Sequence, residues 1–110
     1  MGNREQISPI LSSRADDPAL VEAIDAFVIG LAERIDDLQD AEREAGLVRL
    51  ATFAHDLAAD AEALGYEALA RVAQVVETAA GEEASDEAHA NLVKLTEIAY
   101  RVRMGHRGAL

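Results

Sequence analysis

The chain has no cysteine, two prolines and 4% aromatic residues, and its cations are outnumbered, 10 basic against 21 acidic residues for a net charge of −11. The lack of cysteine excludes disulfides and thiolate chemistry and fits a reducing compartment. With so few aromatics, a core must be built from Ala, Leu, Val and Ile on helix faces. Both prolines fall before position 20, so the rest of the chain is free to form long helices. The shortage of cations excludes nucleic acid and anionic membranes as partners, because both need a positive surface. No apolar run approaches the ~20 residues of a membrane span, and the N-terminus lacks the apolar segment of a signal peptide. A cytoplasmic location is expected.

What is present is apolar and periodic. The 110 residues suffice for one domain, and 50% are hydrophobic, which sets the chain apart from disordered acidic tails. Residues 1–15 read as a lead-in, with Ile7, Ile10 and Leu11 around Pro9 forming a short apolar clip. Asp17 as cap and Pro18 at the first helical position open a helix over 18–45. Its seam is Leu20, Ile24, Phe27, Val28, Leu31, Ile35 and Leu38, and Gly46 is its stop. A second helix covers 47–64 and ends at Gly65. A third covers 66–80, with Leu69, Ala70, Ala73 and Val76 inward and Val72 beside them. After the acidic connector Gly81–Ala84, Ser85 caps a fourth helix over 85–104, lined by Ala88, Leu92, Leu95, Ala99 and Val102. Residues 105–110 read as a frayed tail. The fold expected is all-α: an antiparallel up-down-up-down four-helix bundle with a short N-terminal clip.

The second helix carries the most chemistry. At about 100° per residue, Leu47, Leu50, Ala51, Ala54, Leu57, Ala58, Ala61 and Leu64 form one apolar stripe. His55 falls roughly 110° from the centre of that stripe, on its solvent flank. Val48, Ala59 and Glu62 are its helical neighbours, so a nucleophilic ring projects from mid-helix beside small side chains. A partner backbone can approach such a ring closely.

The residues His55, Leu57, Ala61, Leu64, Gly65, Leu69 and Val76-Glu77, together with the texture of Leu47-Val48-Arg49-Leu50-Ala51 and of the long first helix, resemble the histidine-phosphotransfer (Hpt) domain of bacterial two-component multistep phosphorelays. The resemblance spans roughly residues 7–103. It departs at two positions: Ala58 stands where the family has Lys, and Ala59 where it has Gly. The resemblance implies that His55 is the phosphoacceptor and exchanges a phosphoryl group with receiver-domain aspartates. It implies a phosphocarrier with no turnover of its own and no cofactor of its own, the Mg²⁺ lying on the receiver. The implied partners are a response-regulator receiver domain, a hybrid histidine kinase or both. Val48, Ala51, Thr52, Ala58, Ala59 and Glu62 border His55 as the expected receiver contacts, and the chain is expected to be a monomer.

Other features read as structural. His89 and His106 are expected to face solvent without a role. No metal site is expected, since Ala51 and Ala59 occupy the positions four residues either side of His55 where a helical ligand pair would sit. Asp36-Asp37 and Glu82-Glu83 read as solvated faces, and Asp56 and Glu62 as acidic neighbours of His55. Phe53 either tucks against the first helix or stands out as a docking anchor, the former being favoured. Two alternatives to phosphotransfer remain: an Hpt-like module that docks a receiver or kinase without accepting phosphate, and a plain helical interaction or dimerisation domain.

Overall fold

The computed structural model describes residues 8–108 and forms a four-helix bundle. A single turn of 3₁₀ helix, Pro18–Leu20, leads into α1, Val21–Asp40. As the sequence predicts, the Asp17 carboxylate accepts a hydrogen bond from the Ala19 N–H (2.9 Å) and Pro18 holds the first helical position. The expected single helix over 18–45 is therefore three segments, because α1 passes into a π-helical turn, Ala41–Ala45. The wide turn is closed by the Gly46 N–H, which donates to the Ala41 carbonyl five residues back (2.8 Å). Gly46 itself has φ +94° and ψ 178°, a conformation open essentially to glycine alone, and it separates this turn from α2, Leu47–Ala63.

Helices α2 and α3 (Glu67–Gly81) are joined by a tight cap. The Tyr66 N–H donates to Ala61 O (2.8 Å) and the Gly65 N–H to Glu62 O (3.2 Å), the paired bonds of a Schellman motif around a glycine at φ +87°. The same motif ends α3, where the Ala84 and Glu83 N–H groups reach Ala79 O and Ala80 O. There the left-handed position is held by Glu83 at φ 60°. Helix α4 runs from Ser85 to Gly108. Ser85 is thus its first helical residue, one position inside the cap expected of it, and the expected tail from Gly105 is helical to Gly108. Tertiary contacts extend the helix: Gly105 is buried against the Ile10 carbonyl, and His106 Nε2 lies 2.8 Å from Asp25 Oδ1 on α1.

The apolar stripes meet as predicted. Leu31 and Leu38 of α1, Leu50 and Leu57 of α2, Leu69 and Val76 of α3, and Leu95 and Val102 of α4 are its largest fully buried side chains. Alanines at 54, 58, 61, 70 and 73 fill the α2/α3 seam and bring these two helices close together. Each helix packs against the next and α4 returns to α1, so the α1/α4 seam lies across the bundle from the α2/α3 seam. Asp25–His106, Gln39–Thr96 and Glu42–His89 are successive cross-contacts that run α1 antiparallel to α4. Phe27 and Tyr66 stack at 5.7 Å, and burial pushes the Tyr66 hydroxyl above its ordinary pKa.

The N-terminal clip, described from Ser8, is apolar only in part: Ile10 packs against the core but Leu11 is 66% exposed, and hydrogen bonds hold the segment. Its Ser13 N–H donates to Gly65 O (2.8 Å) and the Ser12 hydroxyl to Leu64 O (2.5 Å), while the Ile10 N–H donates to Arg101 O (3.0 Å). The four residues Ile10 to Ser13 thereby tie the α2/α3 connector to α4. Ile7 lies outside the described residues. Among those described, no helix is long and apolar enough to cross a membrane.

Candidate functional site

His55 sits midway along α2 with its side chain 66% exposed. Its Nδ1 lies 3.0 Å from Oε2 of Glu77 on α3. A carboxylate only accepts, so Nδ1 carries the proton and donates it to Glu77. In the neutral ring that tautomer leaves Nε2, at the far tip, as the nitrogen with the lone pair, and Nε2 has no hydrogen-bond partner among the described residues. A contact this exposed contributes only about 0–1 kcal/mol to stability, so its consequence is orientation of the ring rather than cohesion of the bundle.

The ring opens onto a groove of ≈ 590 Å³ between α2 and α3. Ala58, Ala59 and Glu62 line it from α2, and Gln74, Glu77 and Thr78 from α3. Four residues singled out in the sequence, His55, Ala58, Ala59 and Glu62, therefore share one site. Ala58 is its floor and only 4% exposed, so it belongs to the core stripe as much as to the groove. Ala59 and Glu62 are exposed. Val48, Ala51 and Thr52 lie on the N-terminal side of His55 outside the groove lining. Val48 is 83% exposed, Ala51 is half-buried, and the exposed Thr52 hydroxyl donates to Val48 O.

The electrostatics differ from the sequence reading in one respect. Asp56, next to His55 in sequence, turns to the α1 side and lines a separate groove with Arg34, Asp37 and Phe53. The carboxylates around the ring are Glu77 and Glu62, one from each helix, and the lining of the groove holds no cation. Arg71 lies further along the same seam, in an adjoining groove with Glu62, Glu67 and Gln74. Gln74, Glu77 and Thr78 are the residues that reading the α2 stretch alone leaves out. The Val76-Glu77 pair marks the place in the sequence, but its contact with His55 spans 22 residues and two helices. Phe53 is half-buried against the core, under the Arg49 guanidinium at 5.9 Å.

Both other histidines are paired across a seam; His89 faces solvent as expected, its side chain 66% exposed, whereas His106 does not. His89 Nδ1 lies 2.9 Å from Glu42 Oε2, and the His106 side chain is only 23% exposed against Asp25. Neither opens onto the groove at His55. Among the described residues, no group of three or more His, Cys, Asp or Glu side chains is placed to hold a metal ion. Chemically, the site offers an accessible, oriented imidazole nitrogen beside small side chains, in acidic surroundings. Comparison with family models, curated proteins and solved structures yields no match to this chain.

Proposed function

We propose that this chain is a histidine-phosphotransfer module of a bacterial two-component phosphorelay, with Nε2 of His55 as the phosphoacceptor. The observation that carries the reading is the His55–Glu77 pair: an exposed mid-helix imidazole whose Nδ1 proton is held at 3.0 Å by a carboxylate of the neighbouring helix. In the step proposed, the Nε2 lone pair attacks the phosphorus of a receiver's aspartyl phosphate. The bond from phosphorus to the aspartyl oxygen breaks, and its electron pair leaves with the receiver's carboxylate. The Nδ1 proton stays on the ring, where Glu77 offsets the positive charge that phosphorylation of Nε2 places there. The reverse step returns the phosphoryl group to a receiver aspartate. Acceleration comes from positioning and from charge neutralisation, the latter supplied by the receiver's Mg²⁺ and lysine as the family resemblance implies. On this reading the chain is a cytoplasmic phosphocarrier that does not turn over alone. Val48, Ala51, Thr52 and Ala59, with Glu62, form the surface a receiver or hybrid kinase covers, and Ala58 underlies it.

A second reading, a module that docks a receiver without accepting phosphate, is favoured by one observation. The groove walls carry Glu62 and Glu77, and the family's lysine position is a buried alanine, Ala58. The two readings separate in one experiment. Receiver domains pre-phosphorylated with a ³²P label are mixed with the chain, and label transfer and complex formation are followed in parallel. Transfer supports the phosphocarrier; binding without transfer supports the docking module and refutes the phosphocarrier.

A further inference from the structure

The groove at His55 holds charge of one sign. Its lining carries the carboxylates of Glu62 and Glu77 and no cation, and its other walls, Ala58, Ala59, Gln74 and Thr78, are uncharged. The two carboxylates differ in what answers them. Glu77 lies against the ring, with Oε2 3.0 Å from His55 Nδ1. Glu62 is exposed and forms no ion pair among the described residues. The other acids of α2 turn to the α1 side, where Arg34 meets them: Asp60 pairs with it at 2.9 Å and Asp56 shares its groove. Arg71 shares a groove with Glu62, but also with Glu67, whose carboxyl its charge helps to hold below the usual range, so that groove too keeps an excess of negative charge. Glu62 follows His55 by seven residues, two turns along the same face of α2 and about 10 Å along its axis.

We propose that Glu62 sets the phosphoryl-transfer potential of His55: its unanswered charge disfavours the phosphorylated state and biases the exchange toward the receiver. The inference rests on the phosphocarrier reading. A phosphoryl group brings a charge of about −1.5 to −2 to Nε2. The neutral ring has no net charge for Glu62 to repel, whereas the phosphorylated ring presents a like charge. A group that interacts differently with two states shifts the equilibrium between them by that difference. At about 10 Å in water and low ionic strength, the repulsion is worth about two- to threefold in the equilibrium. Glu77 does not act in the same sense, because it faces the Nδ1 proton that the ring retains. A carrier poised in this way gives its phosphoryl group up more readily than it stores it.

The test uses a small phosphodonor, phosphoramidate, so that docking of a receiver plays no part in it. The Nε2 lone pair attacks the donor's phosphorus, the donor's P–N bond breaks, and its electron pair leaves with ammonia. At a fixed ratio of phosphoramidate to ammonium, the ratio of phosphorylated to free His55 measures the transfer potential. Phosphorus and imidazole proton NMR on the full chain at neutral pH read that ratio, with the His55 signals identified by their absence from His55→Gln. At low ionic strength, Glu62→Gln is expected to raise the ratio about two- to threefold and Glu62→Lys about sixfold. In about 1 M salt, where screening shortens to about 3 Å, the three ratios are expected to converge. Asp36→Asn, on the α1/α4 seam across the bundle, is expected to leave the ratio unchanged. A ratio indifferent to the charge at position 62, differences that persist in 1 M salt, or an equal response to Asp36→Asn would overturn the inference and leave the phosphocarrier reading standing. A His55 that takes no phosphoryl group from the donor overturns both.

Discussion

At Gly65 the bundle is sensitive to a single methyl group. It has φ +87°, and a β-carbon there would meet Ser12 Oγ at 2.6 Å, the Arg14 backbone nitrogen at 2.8 Å and Ser13 Oγ at 2.9 Å. Gly46 is its natural control: φ is +94°, but nothing lies within 4 Å of the added atom. Alanine at either position carries the conformational penalty, about 1–3 kcal/mol. At Gly65 it must also push the N-terminal strap away. The bonds at risk are Ser13 N–H to Gly65 O and the Ser12 hydroxyl to Leu64 O. At about 0.5–1.5 kcal/mol each, they add roughly 2 kcal/mol. The entropic gain of alanine over glycine in the unfolded chain applies to both variants and cancels between them. Gly65→Ala is therefore expected to lose about 4 kcal/mol and Gly46→Ala about 2. Urea unfolding of the two variants side by side, followed by far-UV circular dichroism, measures the difference. Equal destabilisation would refute the reasoning, because it would mean that the strap contributes nothing at the α2/α3 connector.

Three further outcomes follow from the same geometry. Glu83→Gly relieves a left-handed residue in the cap after α3 and is expected to raise stability by about 0.5–1 kcal/mol in the same assay. The Ser13 hydroxyl, hydrogen-bonded to Glu67, holds that carboxyl below its usual pKa, aided by the backbone and the charges of Arg14 and Arg71. A carboxyl depressed in the folded state stabilises above its unfolded pKa, and that contribution is lost as the pH falls through the folded pKa. The stability gap between wild type and Ser13→Ala is accordingly expected to be full at neutral pH and to narrow in acid, below the usual carboxylate range, as urea midpoints at the two pH values will show. Glu77→Gln removes the carboxylate that holds the His55 Nδ1 proton; long-range ¹H–¹⁵N spectra are expected to show loss of the single tautomer, with phosphotransfer slowed roughly tenfold while Leu57 and the core stay intact.

Local pattern carried most of the fold. The three-and-four spacing from Ile24 to Leu38, and from Ala88 to Val102, marks residues that are all buried where the pattern recurs, and Gly46 and Gly65 end their segments at positive φ. Where local reasoning failed, a distant contact decided the outcome. Helix α4 outruns its expected end because Gly105 and His106 find Ile10 and Asp25. The turn at Ala41–Ala45 widens from α to π geometry, which apolar spacing does not encode. At the site, His55 and its exposure were legible from its angle off the stripe. Its partner was not: Asp56 is adjacent in sequence but turns toward Arg34, while Glu77 arrives from another helix. Ala58 was assigned both to the core stripe and to the contact surface, and it lies on the boundary between them, as groove floor.

On the proposed function, His55 takes up a phosphoryl group from a receiver. The most direct test is intact mass spectrometry of wild type and His55→Gln after incubation, side by side, with a panel of phosphorylated receiver domains. One added phosphoryl group is expected on the wild type, labile in acid and absent from His55→Gln. An unmodified wild type with every receiver, or an adduct that persists in His55→Gln, would contradict it.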